Sequence, residues 1–190
     1  MGGDDCRGWL RDLRVSEIDS RHGAIRQAFV VLGMSRTLVA GIGNIFLSDD
    51  GFGVEVVRRL AKERLPDSVE VRDFGIRALH LAYELVDGNY ETTILIDAAP
   101  RGGSPGTVYL IEPALDGVPE APAADAHAMS FEAVLAMQRM LGGAPGRILV
   151  LGCEPLSVEE GMALSEPVAA AVDEAVALIH ELVAREVQCV

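Results

Sequence analysis

The feature that most constrains the fold is a regular alternation of short apolar runs with segments of helical periodicity. The runs RTLVAGI (36–42), TTILIDA (92–98) and RILVLGC (147–153) are rich in aliphatic and β-branched residues, as buried strands are. SVEVRDF (68–74) and GTVYLIE (106–112) are also predicted to be strands. Strands joined mostly by helical crossovers form parallel sheets that are covered on both faces. The sequence therefore predicts one α/β domain, a three-layer αβα sandwich around a mostly parallel, twisted sheet.

Four helices are predicted between and after these strands. The first has apolar residues at helical spacing at Val54, Val57, Ala61 and Leu65. The second has them at Ile76, Leu79, Tyr83 and Val86, which are expected to face the core. The last two are predicted to begin after the capping residues Ser130 and Ser165 and to continue to about Leu141 and residue 186.

Charge and cysteine content exclude several classes of protein. The 190-residue chain carries a net charge of −13, which disfavours binding to nucleic acid or to an anionic membrane. No apolar run approaches the roughly 18 residues needed to cross a bilayer. Its three cysteines are odd in number and share no disulfide or metal spacing, as expected in a reducing compartment. We expect a cytoplasmic protein with no nucleic-acid or membrane partner.

The first 33 residues differ in composition from the rest. They contain five arginines and five acidic residues, so the acidity of the chain lies wholly in residues 34–190. Either residues 1–33 are a true N-terminal extension, or translation begins at Met34; we favour the second interpretation. In both cases we expect low order in this segment and a single domain over residues 34–190.

The glycines of GIGN (41–44) follow the first predicted strand, as in many nucleotide-binding loops. A dinucleotide fingerprint needs a third glycine at the position of Phe46, whose ring blocks close packing of the helix. Asp49 and Asp50 come near the start of the helix, where their charges would repel a phosphate. No Gly-Lys-Ser/Thr sequence follows to make a Walker loop. These residues argue against a phosphate site at this turn.

Polar residues follow several predicted strands at the edge of the sheet where α/β proteins form their sites. They are Asn44, Asp49, Asp50, Asp73, Asp97, Glu154 and, in a loop, His127. Carboxylate oxygens and imidazole nitrogens are ligands of divalent cations. The pattern indicates a metal site at this edge.

Structural roles for the same residues remain open from the sequence alone. Asp49 and Asp50 suit a helix cap, and Asp97 suits hydrogen bonding to loop amides. In the same way, His127 suits a surface position, Asp73 suits a turn, and Cys153 suits a small buried side chain.

Four blocks of the sequence occur in the order and spacing of a known protein family. They are GIGNIFLSDDGFGVEVV, LIDAAPRGGSPGTVYLIEP, HAMSFEAVLAM and LGCEPLSVEEGMALSEPVAAAV. With these blocks the chain resembles the hydrogenase maturation proteases, endopeptidases that trim the C-terminal extension from the large subunit of nickel–iron hydrogenases. The resemblance runs from about Met34 to the last helix. It implies the same αβα fold and a hydrogenase large-subunit precursor as partner.

The resemblance also implies the site residues and their roles. Asp50, Asp97 and His127 would be the catalytic residues and would bind the nickel that the precursor presents, so nickel belongs to the substrate rather than to this chain. Some members of the family have glutamate at the position of Asp50, so the shorter side chain here shifts the ligand geometry. Asp49 would be a cap or a supporting group behind the ligands. The implied activity is that of a nickel-recognising, aspartic-type endopeptidase.

Two other classes of function are compatible with parts of this pattern. A non-catalytic nickel metallochaperone would use the same three ligands without cutting a peptide. An α/β hydrolase or a nucleotide-binding enzyme would share the sheet, but the sequence lacks a nucleophile elbow, a phosphate loop and an HExxH motif. The ordered sequence blocks favour the protease.

Overall fold

The computed structural model of the chain describes residues 36–113, 131–143 and 146–188, with side chains described to residue 185. The predictions for residues 1–33, for the cap at Ser130 and for His127 lie outside these residues.

The five predicted strands form one sheet. They are β1 (Thr37–Ile42), β2 (Val69–Gly75), β3 (Thr92–Ala98), β4 (Val108–Ile111) and β5 (Arg147–Cys153). Their order across the sheet is β2-β1-β3-β5-β4, and all neighbours are parallel except β4, which runs antiparallel to β5. The mostly parallel sheet is thus confirmed, with strand ends within two residues of their predicted positions.

Four helices cover the sheet. They are α1 (Phe52–Leu60), α2 (Ala78–Asp87), α3 (Phe131–Met140) and α4 (Glu166–Gln188), and a 3-10 turn at Ser48–Gly51 leads into α1. Helices α1 and α4 pack on one face, while α2 and α3 pack on the other. The predicted three-layer αβα arrangement is confirmed.

The core lies on both faces of the three central strands, because alternate residues of each strand point to opposite faces. Val39, Ile94 and Leu149 share a register line and pack against α1 and α4. Leu38 and Leu95 pack against α2 and α3 on the other face. Each fully buried aliphatic side chain contributes about 1.5–3 kcal/mol to stability. This burial fixes the sheet, and the sheet in turn fixes the positions of the loops at its carboxyl edge.

The predicted core face of α2 is wrong. Ile76, Leu79 and Tyr83 are exposed, whereas the buried residues of this helix are Ala78, Leu81, Ala82 and Leu85. The segment carries two apolar stripes at the same helical spacing, so periodicity alone cannot choose between them. The first helix is also shorter than predicted, because Ala61 is exposed and the partly buried Leu65 lies beyond its end.

Membrane-spanning helices are not found in the described part of the chain. None of its helices combines the length and the apolar character needed to cross a bilayer.

Candidate active site

The candidate site lies where the carboxyl ends of the parallel strands meet, as α/β sheets favour. Asp97 is the penultimate residue of β3 and lies opposite Gly152 of β5. Asp50 lies in the 3-10 turn that connects β1 to α1. The structure brings these two predicted site residues together at one edge.

Three glycines allow this turn to pack closely against β3. A Cβ atom at Gly53 would lie 2.1 Å from the carbonyl oxygen of Ile96, and one at Gly41 would lie 2.3 Å from the carbonyl oxygen of Gly53. Gly43 has a φ of 119°, and a Cβ there would lie 1.8 Å from the carbonyl oxygen of Asp50. Side chains at these positions would push the Asp50 turn away from the sheet. The glycines of the GIGN…GFG segment therefore serve close backbone packing.

Asp50 is held by the turn itself. The backbone N–H of Asn44 donates a hydrogen bond to its Oδ2 atom over 2.6 Å. Partial burial raises the pKa of Asp50, and the hydrogen bond from Asn44 opposes that shift. No hydrogen bond from the described residues reaches the other carboxylate oxygen of Asp50, Oδ1.

Asp97 is almost completely buried, with 3% of its surface exposed. Burial raises its pKa well above the ordinary value, and the nearby charges of Asp50 and Glu132 raise it further. Backbone N–H groups of Ala98 and Phe131 donate to the carboxylate and oppose this shift. Asp97 thus accepts hydrogen bonds from backbone amides, but these belong to the end of β3 and the first residue of α3 rather than to a loop. The burial of Asp97 and the nearby charge of Asp50 both favour a bound cation or a proton on Asp97.

A cavity of about 420 Å³ opens beside Asp97. Its lining residues are Asp97, Ala98, Ala99, Pro100, Arg101, Phe131 and Glu132. The volume falls within the range of small-molecule pockets. A substrate segment in this cavity would lie directly against the buried carboxylate.

Asp49 points away from Asp50 into a different set of contacts. The side chain has no exposed surface, and its carboxylate accepts hydrogen bonds from the N–H groups of Leu156, Ser157 and Ser165 and from the Ser165 hydroxyl, over 2.6–3.0 Å. Burial acts to raise the pKa of Asp49, but these four donors outweigh it and lower the pKa. Asp49 makes no capping hydrogen bond to α1, so the capping interpretation is wrong for this residue. It instead ties the Asp50 turn to residues 156–165.

Glu154 has a structural role that the sequence did not reveal. It is 5% exposed and accepts hydrogen bonds from the N–H groups of Arg101 and Gly102 and from the Tyr109 hydroxyl. Burial acts to raise its pKa, but these donors lower it overall. Glu154 thereby fixes the loop that forms the rim of the cavity. In the sequence, an acidic residue directly after a buried strand places Glu154 at the carboxyl edge of the sheet. It does not identify the groups that donate hydrogen bonds to Glu154.

The remaining residues of this edge have structural roles. Asp73 is partly exposed and lies 3.6 Å from the guanidinium of Arg58. Cys153 is buried, and burial together with the Asp49 and Glu154 charges raises the pKa of its thiol to about 12. A thiol with this pKa is a poor nucleophile near neutral pH, which supports the interpretation of Cys153 as a small buried side chain.

A complete three-ligand metal site does not lie within the described residues. No group of three His, Cys, Asp or Glu side chains among them is arranged to hold a metal ion. The two carboxylates of Asp50 and Asp97 are present, and the third predicted ligand, His127, lies outside the described residues.

Comparison with known proteins places the chain in a family. The sequence model of the hydrogenase maturation protease family (HycI) matches residues 54–182, a range that begins four residues after Asp50 and includes Asp97 and His127. The chain is 36% identical to the hydrogenase expression/formation protein HupD of Rhodobacter capsulatus over 147 residues, which are 75% of this chain and 68% of that protein. It is also 36% identical to a putative hydrogenase maturation protease of Methanocaldococcus jannaschii over 149 residues, which are 75% of this chain and 92% of that one.

Solved structures agree with the sequence comparison. The hydrogenase maturating endopeptidase HybD from Escherichia coli is 28% identical with a TM-score of 0.66, covering 79% of this chain and 93% of that one. The hydrogenase 2 maturation peptidase from a Thaumarchaeota archaeon is 34% identical with a TM-score of 0.61, covering 79% and 99%. With the fold, the sequence blocks and these relatives in agreement, the chain belongs to the hydrogenase maturation protease family.

Proposed function

We propose that this chain is an aspartic-type endopeptidase that removes the C-terminal extension of a nickel-loaded hydrogenase large-subunit precursor in the cytoplasm. The observation that carries the proposal is the pair formed by the buried Asp97 and the partly exposed Asp50 beside a cavity at the carboxyl edge of the sheet. Membership of a protease family supports hydrolysis of a peptide.

The carboxylate pair has a physical reason to recognise a divalent cation. Asp97 is destabilised as an anion by burial and by the charge of Asp50. A cation carried by the substrate would relieve both effects, so the substrate is bound more tightly when its nickel is in place. His127 would provide the third ligand. It lies four residues before Phe131, whose N–H donates to Asp97.

The same geometry supports a role in cleavage. The tail of the precursor would lie in the cavity against Asp97, with the metal ligands fixing the position of the scissile peptide. With the tail in the cavity, the Asp97 carboxylate is the group placed beside the scissile peptide to act as a general base. In this mechanism it takes a proton from the water that attacks the scissile carbonyl and then returns it to the leaving amine. Since the carboxylates recognise the metal of the substrate, cutting waits until nickel has been inserted.

The experiment that tests this function is the intact mass of a large-subunit precursor after incubation with the protein, with and without nickel loading. We expect loss of one defined C-terminal peptide from the nickel-loaded precursor alone. Asp50→Ala and His127→Ala should each abolish the loss. Asp67→Ala is the control, because Asp67 is an exposed residue on the loop before β2 and should leave cleavage unchanged.

Two results would contradict the proposal in different ways. Transfer of nickel to the protein with no change in precursor mass would identify a metallochaperone. Equal cleavage of nickel-loaded and nickel-free precursor would leave a protease but remove the role of nickel as the signal for cutting.

A further inference from the structure

Two hydrogen-bonded segments beside the site carry four large apolar side chains that no described part of the chain covers. Their exposed fractions are 59% for Phe46, 59% for Leu156, 51% for Val158 and 77% for Met162. We name these four residues the loop-pair surface. Side chains of this size are exposed singly on many proteins, but a group on two joined segments beside a site indicates an interface.

The loop-pair surface is built on a fixed backbone. Leu47 and Gly161 form a parallel bridge, in which the Gly161 N–H donates to the Phe46 carbonyl and the Ser48 N–H donates to the Gly161 carbonyl, both over 2.9 Å. The Asp49 N–H donates to the Ser157 carbonyl over 3.1 Å. The buried Asp49 carboxylate accepts two more hydrogen bonds from the second segment, from the N–H groups of Leu156 and Ser157, and two from Ser165 beyond it. A surface held in this way loses little conformational entropy when a partner binds.

The loop-pair surface is also linked to the candidate site through the backbone. Phe46 lies in the turn that carries Asp50, and the Asp50 N–H donates to the Leu47 carbonyl over 3.1 Å. A protein whose tail reaches Asp50 and Asp97 must place its folded body against the neighbouring surfaces. The two segments of the loop-pair surface are among the surfaces next to Asp50.

Charge around this surface indicates the chemistry of the partner. Residues 154–166 include the exposed Glu159, Glu160 and Glu166 and contain no Lys, Arg or His. The whole chain carries a net charge of −13. A complementary partner presents an apolar patch bordered by basic residues. A second copy of this chain would instead bring acidic residues against acidic residues.

We infer that the loop-pair surface docks the folded body of the hydrogenase precursor, separately from the tail that enters the cavity. This inference rests on the proposed function and adds to it the surface that selects the substrate protein. It assigns Phe46, Leu156, Val158 and Met162 to recognition of the partner and leaves Asp50 and Asp97 to recognition of the metal and cleavage of the tail.

The test compares two exposed methionines. Met162→Ser, alone and together with Val158→Ser, changes the loop-pair surface. Met140→Ser is the matched control, since Met140 is 65% exposed. It is the last residue of the ten-residue helix α3, whose first residue, Phe131, is the one that contacts Asp97. Affinity for the precursor is measured by calorimetry, and cleavage is measured over a range of precursor concentrations.

We expect the double variant to bind the precursor about tenfold more weakly, with KM raised about as much and kcat kept within about threefold. Met140→Ser should match the unchanged protein in both measurements. Thermal melting should give the same Tm for all variants, since the replaced side chains are exposed.

The possible outcomes separate this inference from the proposed function. Equal precursor affinity in all variants would overturn the docking surface while leaving the protease proposal intact. Precursor binding that depends on Met162 without any cleavage would support the docking surface and overturn the protease proposal. Loss of self-association in the double variant, with precursor affinity unchanged, would assign the surface to a second copy of this chain and overturn the inference.

Discussion

The Asp49 carboxylate accepts hydrogen bonds from both the backbone N–H and the hydroxyl of Ser165, a residue 116 positions further along the chain. The first bond spans 2.6 Å and the second 2.9 Å. Ser165 immediately precedes α4, so one buried side chain connects the turn after β1 to the start of the last helix. Asp49 thus supports the turn that carries Asp50, and the two adjacent aspartates have different roles.

Asp49→Asn should destabilise the fold. The carboxylate oxygens of Asp49 accept hydrogen bonds from buried N–H groups. In asparagine an NH₂ group replaces one of these oxygens, and because it cannot accept a hydrogen bond, buried N–H groups are left without an acceptor. We expect the free energy of unfolding in urea to fall by on the order of 3 kcal/mol. Asp67→Asn, at an exposed position, should change it by less than about 0.5 kcal/mol. Similar unfolding free energies for the two variants would contradict the role of Asp49.

Asp97→Asn should have the opposite effect on stability from Asp49→Asn, although both residues are buried. Asp97 has a charge that burial and Asp50 disfavour, whereas hydrogen bonds stabilise the charge of Asp49. Replacing Asp97 with a neutral amide of nearly the same shape removes this electrostatic cost. We expect an unchanged or higher Tm near pH 7 by calorimetry. A fall in Tm as large as that of Asp49→Asn would show that the Asp97 charge is stabilised in the folded protein.

Gly53→Ala should destabilise the protein even though alanine is the better helix former. The new Cβ would lie 2.1 Å from the Ile96 carbonyl oxygen and 2.5 Å from that of Ile42, so α1 would have to move away from the sheet. We expect a loss of about 3 kcal/mol in urea unfolding. Gly102→Ala is the control, because Gly102 has a positive φ but open space around it, and should cost about 1 kcal/mol. Wild-type stability of Gly53→Ala would rule out close packing at this crossing.

Glu154→Gln should lower the Tm in a pH-dependent way. The donors around Glu154 hold its folded pKa below the ordinary value of 4.5 despite burial, so its charge stabilises the fold above that pH. This stabilisation is lost as the pH falls through the lower, folded pKa. The Tm difference between the two proteins should therefore be present near pH 7 and close as the pH falls below 4.5.

The control for this pH series is Glu160→Gln, at an exposed position outside the Glu154 contacts, which should leave the Tm near pH 7 unchanged. A difference between Glu154→Gln and the unchanged protein that stays constant down to strongly acidic pH would show that the charge of Glu154 is not what stabilises the loop.

Strand positions could be predicted from the sequence because burial on both faces demands continuous apolar runs. TTILIDA and RILVLGC are short and almost wholly apolar, as strands covered on both faces are. Both are strands with the predicted bounds. The face of α2 could not be predicted, because Leu79 and Tyr83 form as good a helical stripe as Leu81 and Leu85. Only packing against the sheet decides between the two stripes.

The site was predictable in position more than in detail. Asp50 and Asp97 were placed at one edge by the parallel topology, and the structure brings them together. The distinct roles of Asp49 and Asp50 could not be derived, because adjacent residues on a turn point in different directions and the partners of Asp49 are more than 100 residues away in sequence. The hydrogen bond from the Arg101 N–H to Glu154 could not be predicted for the same reason, because the two residues are far apart in sequence.

In the proposed function, the buried carboxylate of Asp97 is needed for cutting rather than for folding. The most direct test is the intact mass of a nickel-loaded large-subunit precursor after incubation in parallel with the unchanged protein and with Asp97→Asn. We expect loss of one C-terminal peptide with the unchanged protein and full-length precursor with Asp97→Asn, while the melting curve of the variant shows a folded protein. Release of the same peptide by folded Asp97→Asn at the normal rate would show that the Asp97 carboxylate is not needed for cutting.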